Sequence, residues 1–249
     1  FSGDWSIAIY SGSYSKILNN TITDASDGMY ISRNGSGLPT YDTISNNVIK
    51  RTNIIPGVVP NSNGSGGIRC YSSDKSVIQY NDLDSSGYNG IFIKYANVQV
   101  RNNLIKNSGL VTEDGGAIYT GFSGKTGKII DGNIILNTEG TSAGTNKPSA
   151  YTLARGIYID EGGTSITISN NSVAYGNNSG IFIHNANNIT VTNNTVYDNG
   201  TGNVSSSLGQ MEFQYNPVTP TSANIIRGNV LKNNIFFSKT AIQPTMYYS

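Results

Sequence analysis

A single cysteine among 249 residues excludes an internal disulfide framework and a four-thiolate metal site. Charge is scarce as well. Only 12% of residues are charged, about half the usual share for a soluble domain. The 16 Lys+Arg offset 15 Asp+Glu to leave a net charge of +1. A nucleic-acid binder needs a basic excess or stripe, and none is present. Leucine occurs only 9 times, although helical proteins lean on it together with Ala, Glu and Lys. No apolar run approaches the ~18 residues of a membrane span, and no signal-peptide pattern opens the chain.

What fills the chain instead is asparagine, with 33 copies, isoleucine with 30 and glycine with 29. These residues favour turns and strands. A hydrophobic fraction of 37% supplies enough material for a core, which argues against disorder. The bias comes from repetition. GIYIDEGGTSITISNNSVAYGNNS, starting at Gly156, matches GIFIHNANNITVTNNTVYDNGT, starting at Gly180. Each reads as an alternating strand, a turn, a second alternating strand ending in Asn-Asn, and another turn. An asparagine followed two residues later by an aliphatic recurs at Asn20, Asn47, Asn81, Asn103, Asn133, Asn171, Asn194 and Asn229.

Period-two alternation puts Ile157 and Ile159, or Ile181 and Ile183, on one face. The expected architecture is an all-β parallel β-helix of about eight coils, with each strand bonded to its equivalents one coil above and below. In that fold asparagine serves the bends and stacks into a ladder. The pattern resembles the right-handed parallel β-helix repeat proteins of the pectin-lyase-like superfamily, and the resemblance spans essentially the whole chain. Right-handedness is taken from the resemblance. Residues 1–249 read as one domain, expected to be part of a larger protein because no capping element opens the chain. Phe236, Phe237, Met246, Tyr247 and Tyr248 are expected to fold over the last coil.

Function belongs where the repeat is broken. The longest departures, 51–66, 137–155 and 198–208, leave the same edge of the solenoid, and the lower segment 106–115 between the first two suggests a cleft. On the glycine-led strands the middle outward column reads Tyr30, Arg69, Phe92, Tyr119, Tyr158, Phe182 and Glu212. With coils about 4.8 Å apart, Phe92, Tyr119, Tyr158 and Phe182 form either a platform for sugar rings or a satellite core under the loops. The next column reads Ser32, Tyr71, Lys94, Gly121, Asp160, His184 and Gln214. It sets the only histidine one coil from Asp160, which would raise the imidazole pKa.

Acids are grouped as Glu113-Asp114 and Asp160-Glu161, with Glu139 in the loop between them. Glycosidic cleavage needs two carboxyl groups flanking one bond. EDGGAIYTG followed by GIYIDEGG resembles the paired motifs of β-helix glycoside hydrolases of the xylosidase and fucosidase type. That resemblance implies Asp114 and Asp160, together with Glu161, as catalytic groups. Glu113 and His184 stand beside them as supporting or substitute groups. Substrate binding falls to Tyr119, Tyr158, Phe182, Phe92, Lys94, Arg155 and Glu139. The expected function is therefore a secreted or surface glycoside hydrolase acting on a polysaccharide, with no required cofactor, no metal residues, no nucleic-acid partner and no membrane span. A polysaccharide lyase is the alternative, using a cationic base among Lys94, Arg69 and Arg155, with calcium as an optional partner of the acidic pairs. A non-catalytic adhesion or carbohydrate-binding module is the third reading. Asp114 precedes its strand whereas Asp160 follows the equivalent one, so a strand's length stands between their backbones.

Overall fold

The computed structural model describes residues 5–33, 37–56, 65–141, 144, 153–202, 209–216 and 225–249. Within them the chain winds into three parallel sheets, one of nine strands and two of eight. Successive coils contribute one strand to each. In the first sheet Gly66–Cys70, Asn89–Ile93, Gly116–Thr120, Arg155–Ile159, Ile181–His184 and Met211–Gln214 lie side by side. The register is strict: Ile91 faces Ile118, Ile118 faces Ile157, and Ile157 faces Ile181. These inward side chains are fully buried and join the isoleucines and valines of the other two sheets in one core. Thr120 takes a core position without stranding its hydroxyl, which donates to the Ile93 carbonyl at 2.6 Å.

The Asn-Asn doublets divide their work. The first residue of each doublet turns the chain, at φ 57° for Asn19, 56° for Asn46, 51° for Asn102, 57° for Asn170 and 56° for Asn193. Asparagine tolerates this left-handed conformation better than most side chains do. The second residue builds the ladder. Asn133 accepts from the backbone N–H of Asn103 at 3.0 Å and from its Nδ2 at 2.9 Å. Its own Nδ2 donates to the Val100 carbonyl at 2.9 Å and to Oδ1 of Asn171 at 3.0 Å. The same pattern links Asn47, Asn81, Asn103, Asn171 and Asn194. The ladder amides from Asn47 to Asn194 are thus partnered, as burial requires.

The ladder ends at Asn234, which accepts from Asn194, not at Asn229. Asn229 instead receives the Ile189 N–H at 2.9 Å. The C-terminal aromatics also depart from expectation. Met246–Tyr248 extends the first sheet by a ninth strand on Met211–Gln214, and Phe237, Met246 and Tyr248 stay more than half exposed. Backbone pairing continues the solenoid there in place of a side-chain cap. Cys70 lies in the core, where burial pushes its thiol up to about 12, so it is inert as a nucleophile.

Lys128 is the unusual core member. It is 1% exposed, and its Nζ donates to the carbonyls of Gly121 at 2.8 Å and Lys125 at 2.7 Å. It staples the turn that carries Lys125. Burial, with Lys125 nearby, lowers its pKa to about 7 from 10.5. The unfolded chain therefore binds the extra proton between those values, and the stability of the native protein rises with pH across that window. Urea denaturation of Lys128→Met should remove this slope: the variant's stability relative to wild type falls steadily as pH climbs from about 7 towards 10.5.

Candidate functional site

The register places both outward columns as the alternation requires. Tyr30, Arg69, Phe92, Tyr119, Tyr158, Phe182 and Glu212 are successive neighbours. They do not form an open platform. Phe92 is 0% exposed, Phe182 1%, Tyr158 4% and Tyr119 7%, and they pack as a second apolar cluster with Tyr71 and Phe122. Phe92 and Tyr119 stack at 5.5 Å, and Arg155 lies over the rings of Tyr158 and Phe182 at 4.9 and 4.5 Å. Ring faces covered this way are closed to a sugar, so the expected stacking role for these four residues is corrected to a satellite core. Outward period-two positions define a face, not what lies over it.

Two tyrosines keep a polar function through their hydroxyls. Tyr119 donates to Oδ2 of Asp160, and Tyr158 donates to Oδ1 at 3.2 Å. Burial, reinforced by the Asp160 charge, holds the Tyr119 phenol far above its usual pKa, and burial does the same for Tyr158. Both are fixed donors. His184 stacks flat on Phe182 at 5.5 Å and places Nδ1 2.7 Å from Oδ1 of Asp160. Burial works to raise the Asp160 pKa, yet hydrogen bonds from His184, Tyr119 and the Glu161 backbone bring it below the ordinary value. With both oxygens engaged, Asp160 is an ionised orienting group.

The other face of His184 is built for either protonation state. Nε2 lies 2.5 Å from Oδ1 of Asn216 and 2.9 Å from Nδ2 of Asn185. The Asn185 amide is fixed, because its Oδ1 accepts from the Asn216 N–H and its Nδ2 donates to Glu161. A charged imidazole therefore donates to Asn216, and a neutral one accepts from Asn185. Burial lowers the His184 pKa, but the bonds to Asp160 and Asn216 outweigh it and the net shift is upward. Asn216 is exposed, so a substrate oxygen can take its place.

The second acidic pair lies at the opposite end of the strand. Asp114 is 69% exposed at its side chain and pairs with Arg155 Nη1 at 3.2 Å. Arg155 also donates to the Leu153 carbonyl at 2.8 Å. From Asp114 to Asp160 the contacts run through Arg155 and Tyr158 in series, so the two aspartates are not brought into direct contact. Glu113 has its pKa raised, by burial first and by Asp114 second. Glu139 accepts from Asn177 at 2.7 Å on the far corner, where it braces neighbouring coils. The tips of the three long loops, at 57–64, 142–143, 145–152 and 203–208, lie outside the described residues, and with them the expected cleft walls.

Glu212 escaped the sequence reading. It is 3% exposed and takes a hydrogen bond from Ser179, and burial raises its pKa against the opposing pull of Ser179, Arg155 and His184. Its place as the carboxylate at the end of a mostly aromatic column was the available signal. Asn185 and Asn216 carried none, because asparagine is everywhere in this chain. Among the described residues no group of three or more His, Cys, Asp or Glu is arranged to hold a metal ion, and no helix is long and apolar enough to cross a membrane.

A family model described as the right-handed β-helix region matches residues 58–218. Among solved structures, the mannuronan C-5 epimerase AlgE4 A-module of Azotobacter vinelandii aligns over 94% of this chain at 10% identity and a TM-score of 0.45. This chain spans 64% of that module's length. An alginate lyase from Paenibacillus sp. str. FPU-7 aligns over 98% of both chains at 15% identity and a TM-score of 0.39. No curated protein matches the sequence.

Proposed function

The chain belongs to the right-handed β-helix family, and from that footing we propose that it cleaves a polysaccharide lying across the coils of the first sheet, with His184 as the acid/base. One observation carries the reading: His184 has its Nδ1 proton anchored by Asp160 while Nε2 meets both a donor and an acceptor at a partly open surface. A general acid/base must give and retake a proton without repacking its surroundings. In hydrolysis the Nε2 proton passes to the glycosidic oxygen as the C–O bond breaks, and the water that bonds to the anomeric carbon returns a proton to Nε2. In elimination neutral Nε2 first takes the sugar C–H proton and then gives it to the leaving oxygen as the C–O bond breaks and the C=C bond forms.

Asp160 is an unsuitable nucleophile, since three side-chain donors occupy its oxygens. That disfavours hydrolysis by Asp114 and Asp160 as a pair. Hydrolysis centred on Glu113 and Asp114 is the second reading, favoured by a carboxyl held up by burial next to an exposed carboxylate. A polymeric substrate fits a secreted or surface location.

The imidazole can be followed directly, because His184 is the sole histidine. Its NMR titration midpoint should lie above 6.5, the ordinary value, and fall in Asp160→Asn, where burial acts with less opposition. The pH-rate profile on a glycan panel should show a limb at the same midpoint. A profile insensitive to Asp160→Asn, with activity lost instead in Glu113→Gln, selects the second reading.

A further inference from the structure

Three coils N-terminal to His184, the same outward column opens into a groove of about 610 Å³ lined by Tyr30, Arg33, Tyr71, Lys94, Tyr95 and Lys125, with Ser32 and Ser72 between them. Its chemistry is one-sided. Lys94 Nζ donates to the Tyr71 hydroxyl at 2.9 Å and sits 4.2 Å from that ring's centre. Lys125 Nζ is 4.0 Å above the Tyr95 ring. Beneath the groove Arg69 is wedged among Tyr30, Tyr71 and Phe92 at 5.3, 4.8 and 5.7 Å, and its buried Nε has no hydrogen-bond partner.

Among the described residues none of Arg33, Arg69, Lys94 or Lys125 forms a salt bridge with a carboxylate, although most of the chain's other ion pairs lie on the second and third sheets and their corners. Four cations gathered without a carboxylate among them give the groove a local positive field in a nearly neutral protein, which favours an anionic ligand there. The local field is felt by Tyr71, whose phenol is made more acidic by Lys94 above all.

We propose that this groove is a binding subsite for an anionic sugar, carrying a carboxylate or a sulfate ester, of the same glycan that reaches His184. The inference rests on the polysaccharide reading above for the continuity of the ligand. The anion is held by Lys94, Lys125 and Arg33, and the sugar packs against the half-buried side chains of Tyr71 and Tyr95. The column runs from Lys94 through Gly121 and Asp160 to His184, a span of about 14 Å at the usual strand spacing. Gly121 keeps the path low: a Cβ there would come within 2.8 Å of the Asp160 carbonyl oxygen and 3.2 Å of its Cβ. The subsite is thus distant from the bond being broken and reads charge on a sugar further along the chain.

Binding is measured by affinity electrophoresis and calorimetry on the full chain, against polygalacturonate for carboxylate, carrageenan for sulfate ester, neutral arabinoxylan, and single-stranded DNA of matched charge. One of the two anionic glycans should bind, and which one identifies the anion. Removing one charge-assisted contact costs roughly tenfold in affinity. Lys94→Ala and Lys125→Ala should each show that loss and a weaker salt dependence, whereas Lys75→Ala, on an exposed cation outside the groove, should not. Equal affinity for arabinoxylan, equal affinity for DNA, or unchanged affinity in both groove variants would overturn the subsite. Because binding is read without turnover, an inactive but normally binding protein would count against the His184 mechanism and leave the subsite standing.

Discussion

His184→Ala should lower turnover on the cognate glycan by about 10²–10⁴-fold, the usual contribution of one general acid/base, with little change in KM. In the proposed mechanism the imidazole acts at the bond that breaks, and the proposed anion contacts lie elsewhere along the column. Asp160→Asn should produce a loss of similar order by another route. It leaves a group of the same size beside His184 and the two tyrosine hydroxyls, but removes the charge that sustains the imidazolium. Its pH profile should therefore move to lower pH, which mere loss of packing would not do. Tyr119→Phe removes one donor to Asp160 without removing the charge, and a modest loss with the profile nearly in place is expected. Equal activity of wild type and His184→Ala at every pH would eliminate the mechanism.

The largest structural effect should come from exchanging one heavy atom in the ladder. Asn133 is 0% exposed, and its Nδ2 donates to the carbonyls of Val100 and Asp131 and to Oδ1 of Asn171. Asn133→Asp turns that donor into an oxygen facing three acceptors. Breaking a buried polar network so that charge is left without a partner costs about 3–5 kcal/mol, a large share of the ~5–15 kcal/mol that holds a typical domain together. The new carboxyl would bind its proton more tightly in the folded state than in the unfolded one. The deficit is therefore greatest at neutral pH and shrinks as pH falls through that raised folded value. Denaturant melts at pH 7 and near pH 4 would show the midpoints of variant and wild type converging. Solenoid coils are stabilised by their neighbours, so the loss should spread from the fifth ladder position into the coils on either side.

The fold was legible because a repeat restates its rule once per coil. Ile157, Ile181 and their equivalents announce a period-two core, and the doublets announce a bend and a ladder. The misassigned last rung shows the limit: Asn229 precedes an aliphatic by two residues, whereas Asn234 precedes Phe236, yet hydrogen-bond register makes Asn234 the rung. Within the site, the closeness of Asp160 and His184 was readable because both lie in one column on adjacent coils. The aromatic column was placed correctly, but its burial was not readable, since that depends on Arg155, Phe122 and other groups reaching over from elsewhere. The separation of Asp114 from Asp160 by Arg155 and Tyr158 likewise lies in side-chain contacts that no spacing encodes. Asn185 and Asn216, which bracket Nε2 of His184, look identical in sequence to the other 31 asparagines.

The strict pairing of the first sheet has a consequence for how such a protein can change. Lys94 and His184 are separated by a whole number of coils, and the backbone ladder admits no fractional value. Adding or deleting one coil between them would move the charge-reading groove and the proton-transfer centre apart or together by one strand spacing. The solenoid is thus a ruler with fixed graduations. If the proposed subsite and His184 engage one glycan, the length spanned between them changes only in steps, each achieved by duplicating a unit that already folds.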